Sequence, residues 1–208
     1  MNYMYLPPAY KSLKRGPQVM LPKDIGLVIS YSGIGKESIC VDAGTGSGWL
    51  AIALSRVSKS VTSYETREEF IKIAQRNADR LGVTNLKIIN ADISKGIGEK
   101  DVDLISLDMP NSDKIIKYAN KALKDGGCIF GYLPHMEQVK KFIKALNRYK
   151  FRDTITIEAI VRDMLVRKEG TRPSTTGIWH TAYLLFARKP EPQIAAKTQP
   201  QKDSQGAF

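Results

Sequence analysis

A short apolar run that ends in an acid and opens at once into alternating glycines limits what this chain can become. Glu37-Ser-Ile-Cys-Val-Asp42 leads into Gly44-Thr-Gly46-Ser-Gly48, and Trp49-Leu-Ala-Ile-Ala-Leu-Ser follows. The first segment reads as a buried strand and the last as an apolar helix. Strand, glycine turn and helix in that order form the opening unit of an α/β sheet. Glycine lets a ligand approach the backbone closely, and the helix start points free N–H groups at it. By itself the pattern is weak, because a tight strand-to-helix turn also needs glycine. Its GxGxG spacing also differs from the GxGxxG of many nucleotide enzymes.

The unit recurs along the chain. Val61-Thr-Ser-Tyr64-Glu65 is a second strand ending in an acid, and Arg67 to Leu81 has helical spacing, with Phe70, Ile71, Ala74, Ala78 and Leu81 on one face. Leu86–Asn90 is a third strand followed by Ala91-Asp92, and Val102–Leu107 a fourth followed by Asp108-Met109-Pro110. Helix Lys114–Leu123, the turn Asp125-Gly126-Gly127, strand Cys128–Tyr132 and helix Glu137–Tyr149 come next. Two apolar runs, Phe151–Val161 and His180–Arg188, close the fold around a polar, basic stretch from Arg162 to Thr176. Ahead of the first strand, Pro22-Lys23-Asp24 opens a helix over Ile25–Ser30. The pattern predicts an α/β, Rossmann-like fold: a seven-stranded, mainly parallel sheet with helices on both faces. No helix separates the last two strands, so they pair antiparallel and one strand runs against the rest. Residues 1–22 read as an irregular basic N-terminal arm, 23–189 as the folded domain and 190–208, rich in Gln, Pro and Lys, as a disordered tail.

Glu65, 23 positions after Asp42, suits a carboxylate accepting hydrogen bonds from a ribose diol. Asp92 is placed to accept from an adenine amino group, with the following N–H serving a ring nitrogen. These acids and Asp108 fall at the carboxyl edge of the sheet, where ligands bind in open α/β folds. The formal charge of +11 favours a polyanionic partner, although solubility alone explains it equally well. Cys40 and Cys128 lie in apolar strand-like runs and read as buried free thiols. His135 and His180 lack metal-ligand spacing, and no metal site is expected. No apolar run reaches bilayer length and the N-terminus has no signal-peptide core, so a cytoplasmic, membrane-free protein is expected.

VDAGTGSG (41–48) with Glu65, Asp92 and Asp108 on successive strand ends resembles the class I S-adenosylmethionine-dependent methyltransferases. A narrower resemblance, spanning about residues 13–189, is to the tRNA (adenine-N1)-methyltransferases, which modify position 58 and in archaea often 57. It rests on LKRGPQVMLPKDIGLVI (13–29), SYETREEFIKIAQRN (63–77), LDMP (107–110), and Arg172-Pro173 followed by WHTAYLLFARK (179–189). Against that family's pattern, the small N-terminal β-domain is expected to be missing or reduced to an arm in this chain.

The resemblance implies S-adenosylmethionine as cofactor, held by Gln18, Gly44, Thr45, Gly46, Ser47, Gly48, Trp49, Glu65, Ala91, Asp92 and Asp108. It implies Asp108 as the catalytic group, orienting a flipped-out adenine through its exocyclic amine. Arg162, Arg167, Lys168 and Arg172 are assigned to tRNA phosphates, a solvated basic loop being the plain alternative. His180 reads as a hydrogen-bonded structural histidine. The family's assembly implies a homotetramer. The rival readings are a protein L-isoaspartyl or precorrin-type small-molecule methyltransferase, and a noncatalytic tRNA-binding subunit.

Overall fold

The computed structural model describes residues 6–16 and 18–191; the start of the arm and nearly all of the expected tail, residues 192–208, lie outside them. Seven strands form the main sheet: β1 (Ile39–Ala43), β2 (Ser60–Glu65), β3 (Leu86–Asn90), β4 (Val102–Leu107), β5 (Leu123–Leu133), β6 (Arg152–Ile157) and, last in the chain, β9 (Tyr183–Arg188). Their order is β3-β2-β1-β4-β5-β9-β6. All run parallel except β9, which pairs antiparallel with β5 on one side and β6 on the other.

The central strands are apolar along their length because both faces are covered. One face carries α2 (Pro22–Ser32), α3 (Trp49–Ser55) and α4 (Glu68–Arg80), with Cys40, Leu104, Cys128 and Phe130 beneath them. The other carries α5 (Ile116–Ala122) and α6 (Met136–Arg148), packed through Ile116, Ala119, Phe142 and Leu146 onto Val41, Ile105 and Ile129. Both cysteines are free and fully buried, and burial pushes both thiols well above their ordinary pKa.

Four local readings change. The helix expected over Lys114–Leu123 is a 3₁₀ turn, Ser112–Ile115, continued by α5. β5 starts at Leu123, and a register shift between Val102/Leu123 and Leu104/Cys128 absorbs the Asp-Gly-Gly turn inside the strand. The basic stretch after β6 holds a two-stranded hairpin, β7 (Met164–Arg167) with β8 (Gly170–Pro173). The described part of the N-terminal arm is packed rather than irregular: α1 (Pro8–Lys11) leads into buried Leu13, Met20 and Leu21. Asn77 fixes this segment, accepting from the Lys14 amide at 2.9 Å and donating to the Lys14 and Ser47 carbonyls at 2.8 Å each.

The start of α2 clamps the region after β6 to the sheet. Lys23 Nζ donates to Asp24 Oδ1, the Ala159 carbonyl and Thr181 Oγ1 within 2.7–2.9 Å. Asp24, fully buried, also accepts from Thr181 Oγ1 at 2.9 Å and from the Tyr132 hydroxyl at 3.3 Å. Removing one partner of such a buried pair strands the other charge. Asp24→Ala should therefore destabilise the protein by about 3–5 kcal/mol in a denaturant titration. A loss below about 1 kcal/mol would mean the pair is solvated in practice.

Candidate active site

The carboxyl ends of β1, β2 and β4 meet around the glycine loop. Gly44 adopts φ +88°, and a Cβ placed on it would fall 1.9 Å from the Asp108 carbonyl oxygen. Only glycine lets β1 and β4 approach this closely, and the Asp108 amide donates to the Ala43 carbonyl at 2.9 Å in the same place. Gly48, at φ +83°, caps α3, where a Cβ would press on Ala74 Cβ at 3.0 Å.

Glu65 is held before any ligand arrives. Its Oε2 accepts from the Gly46 amide at 3.0 Å, and its Oε1 from the Thr66 and Arg67 amides and from Arg67 Nε at 2.9–3.2 Å. Burial opposes its ionisation, but the hydrogen bonds from Arg67, Gly46 and Thr66 outweigh burial and hold its pKa below the usual carboxylate value. Beneath the loop, Asp42 accepts from Ser63 Oγ at 2.6 Å, and Ser63 Oγ shares a 2.6 Å hydrogen bond with Thr45 Oγ1. Burial raises Asp42 to about 6 against the opposing effect of Ser63 and Ser106. Burial, and then the nearby Asp42 charge, raise Asp108 to about 7.

Two cavities flank Asp108 and Gly44. The larger, about 330 Å³, is lined by Tyr64, Glu65, Arg67, Ala91, Asp92 and Met109 among others. The smaller, about 30 Å³, is lined by Gln18, Thr45, Gly46, Ser47 and Trp49 as well as Asp42. The structure thus gathers most of the residues read from sequence and gives some of them local jobs. Asp92 Oδ1 accepts from the Ser94 amide at 2.8 Å, capping the 3₁₀ turn Ile93–Lys95, and the Ser94 hydroxyl, then this amide, lower its pKa. Gly48 shapes the helix start and lines neither cavity.

Sequence reasoning did not assign Arg67, Met109 or Pro110 to the site; their adjacency to Glu65 and Asp108 was the available signal. The four basic residues assigned to phosphates line neither cavity. Arg162 donates to the Ser174 carbonyl at 3.2 Å and lies over the Trp179 ring at 4.9 Å, while Arg167, Lys168 and Arg172 are exposed on the hairpin. That hairpin belongs to the excursion between the end of β6 and the start of β9, which leaves and re-enters the sheet at its carboxyl edge. His180 is bound at both ring nitrogens, to Glu158 at 2.6 Å and the Pro134 carbonyl at 2.9 Å, and these acceptors raise its pKa.

The residues fit an S-adenosylmethionine-sized group with a charged amino-acid end and an adenosine end. Ser47 Oγ and Trp49 Nε1 are buried with no partner among the described residues, and both residues line the small cavity. An amino-acid carboxylate would satisfy such donors. Glu65, Ala91 and Asp92 line the larger cavity, and its two carboxylates are acceptors of the kind that ribose hydroxyls and an adenine amine would meet.

Comparison with known proteins agrees. The family model described as the tRNA methyltransferase complex GCD14 subunit matches residues 10–172. The tRNA (adenine(57)-N(1)/adenine(58)-N(1))-methyltransferase TrmI of Methanocaldococcus jannaschii is 39% identical over 210 residues, covering 86% of this chain and 74% of that protein. Among solved structures, the tRNA (m1A58) methyltransferase TrmI of Aquifex aeolicus superposes with a TM-score of 0.83 at 28% identity, over 90% of this chain and 78% of that one. An S-adenosylmethionine-dependent O-methyltransferase of Thermotoga maritima gives 0.81 at 32% identity, over 86% and 69%.

Proposed function

The chain belongs to the tRNA methyltransferase family of the GCD14 subunit, and from that premise we propose that it methylates N1 of adenine in the T-loop region of tRNA, at position 58 with 57 as the second candidate. The observation that carries this reading is the convergence of the glycine loop, Glu65, Asp92 and Asp108 on adjoining cavities at one sheet edge. S-adenosylmethionine, when bound, supplies an electrophilic methyl group. Adenine N1 has an in-plane lone pair, so the protein's task is to aim it rather than to deprotonate it. Glu65 holds the ribose, Ala91 and Asp92 the adenine of the donor, and Ser47, Trp49 and Gln18 its amino-acid end. Asp108 accepts from the exocyclic amine of the target base, fixing the ring and offsetting the positive charge that the product carries. Arg162, Arg167, Lys168 and Arg172 neutralise phosphates beside the site.

The finer features are proposals of the same reading. A homotetramer is supported by the apolar side chains on the outer strand β6, the loop after it and β7: Ile155, Ile160, Val161, Met164 and Val166 are all exposed, Val166 at 79%. No described helix is long and apolar enough to cross a membrane, and the substrate suits a cytoplasmic enzyme.

Methyl transfer from labelled S-adenosylmethionine to unmodified tRNA, followed by nucleoside mass spectrometry, tests the reading. 1-Methyladenosine is expected. Donor binding without any methylated nucleoside would transfer the assignment to a protein or small-molecule acceptor. Glu65→Ala should weaken donor binding by roughly tenfold to a hundredfold, the worth of one or two hydrogen bonds to a charged group. Its tRNA affinity should change far less. Equal losses in calorimetric titrations of the two ligands would remove Glu65 from the ribose.

A further inference from the structure

A cavity of about 460 Å³ lies away from the active site, between α6 and the segment formed by the 3₁₀ turn and α5. Its walls carry Lys114 and Lys117 on one side and Lys141, Lys144 and Arg148 on the other, with Asp113 as the acid. Spacings of three and four residues place each set on one helix face. The opposite faces are core, through Ile115, Ile116 and Ala119 and through Val139, Phe142 and Leu146.

These five cations are distinguished by being gathered around one groove. Lys72, Lys124 and Lys189 each sit against a carboxylate. None of the five forms an ion pair with a described residue; Lys117 Nζ lies 4.5 Å from the centre of the Tyr118 ring. Five cations gathered around a single acid repel one another, and a polyanion relieves that repulsion while releasing its own counterions. The groove also starts in the right place. The 3₁₀ turn begins four residues after Asp108, and α6 begins three residues after the carboxyl end of β5, so both walls start at the edge that holds the site, and Lys141, Lys144 and Arg148 carry the groove away from it along α6.

We propose that the groove between α6 and the segment of the 3₁₀ turn and α5 is a backbone-binding track for the RNA substrate, holding phosphodiesters that lead away from the nucleotide presented to Asp108. The proposal rests on the tRNA reading above and extends it to a second surface, separate from the hairpin cations. Contacts of this kind fix register without reading sequence. A concave wall pair suits a strand of phosphates, whereas a lipid surface would need its cations on a convex face.

The test compares Lys141→Gln/Lys144→Gln/Arg148→Gln with the wild-type protein and with a control, Lys36→Gln/Lys59→Gln, which removes exposed cations elsewhere. Binding of unmodified tRNA is titrated across salt concentrations. The triple variant should bind at least about tenfold more weakly near 0.1 M salt, and its slope of log affinity on log salt should fall by about 2–3. Its donor affinity and its turnover at saturating tRNA should match the wild type, and the control should lose far less. Unchanged affinity and slope in the triple variant, with wild-type methylation of tRNA intact, would overturn the groove and leave the enzyme assignment standing. If the wild type methylates no tRNA, polyuridylate replaces it: groove-dependent binding would keep the RNA track and sink the tRNA assignment. Binding to phosphatidylserine vesicles but to neither RNA would overturn the track.

Discussion

Asp108→Ala should lower turnover by at least about a hundredfold, the range seen when one preorganised partner of a developing charge is removed, while the protein stays folded and still binds S-adenosylmethionine. The alanine leaves space at a half-buried site beside two cavities, so no packed core is lost. What disappears is the acceptor for the exocyclic amine of the target base. The same assignment predicts a pH profile. Burial, reinforced by the Asp42 charge, raises Asp108 to about 7, so the accepting carboxylate form grows as pH rises through neutrality. kcat/KM should fall about tenfold per unit below pH ~7 and level off above it. Asp108→Asn should lose that limb together with most of the rate. His180 also titrates above its ordinary value, but it faces Glu158 and the Pro134 carbonyl, so His180→Gln should keep the limb. Near-normal turnover in Asp108→Ala, or a limb that survives in Asp108→Asn, would remove Asp108 from the mechanism.

Gly44→Ala should damage the protein more broadly. The position has φ +88°, a region that costs an L-residue about 1–2 kcal/mol. Its Cβ would also lie 1.9 Å from the Asp108 carbonyl oxygen, which belongs to backbone and cannot rotate away. The ends of β1 and β4 must separate, breaking the hydrogen bond from the Asp108 amide to the Ala43 carbonyl. A stability loss of at least about 3 kcal/mol and a donor affinity too weak to titrate are expected. Gly46→Ala makes the comparison. Its φ is also positive, at +52°, but its Cβ would meet only the Gly44 carbonyl oxygen, at 3.8 Å. That variant should show the conformational penalty alone, about 1–2 kcal/mol. Equal behaviour of the two would mean that the contact with Asp108 has no energetic weight.

The parallel half of the fold was readable because its strands are buried on both faces. Such strands appear as continuous apolar runs, and here three of them end in the acids Asp42, Glu65 and Asp108. Strand ends and helix starts converge in this architecture, so Gly44, Glu65 and Asp92 could be grouped without coordinates. The hairpin of β7 and β8 was not readable: nearly all its residues are exposed, no apolar alternation marks it, and Lys168-Glu169 is not a turn signal. The start of β5 was hidden because Asp125-Gly126-Gly127 reads as a break, whereas the sheet accommodates it as an irregularity. The basic groove escaped because Lys117 and Lys141 are distant in sequence, and only the packing of α5 beside α6 makes them neighbours. Leu13 and Met20 carried too short a pattern to announce that the arm packs against the core.

The position of β9 bears on how the protein is made. β9 is the last of the described strands to leave the ribosome, yet it sits between β5 and β6, and β6 has no other partner in the sheet among the described residues. Through residue 182 a nascent chain can pair β1 to β5 through local crossovers, although both faces of the core still lack Leu184, Leu185, Phe186 and Ala187. β6 must then wait unpaired until Tyr183–Arg188 emerges and slots between β5 and β6. During that interval the growing chain presents two open strand edges, on β5 and on β6, to any neighbouring polypeptide. Synthesis stalled before residue 188 would leave a product able to aggregate through those edges, and the arrival of β9 is itself the step that seals the sheet.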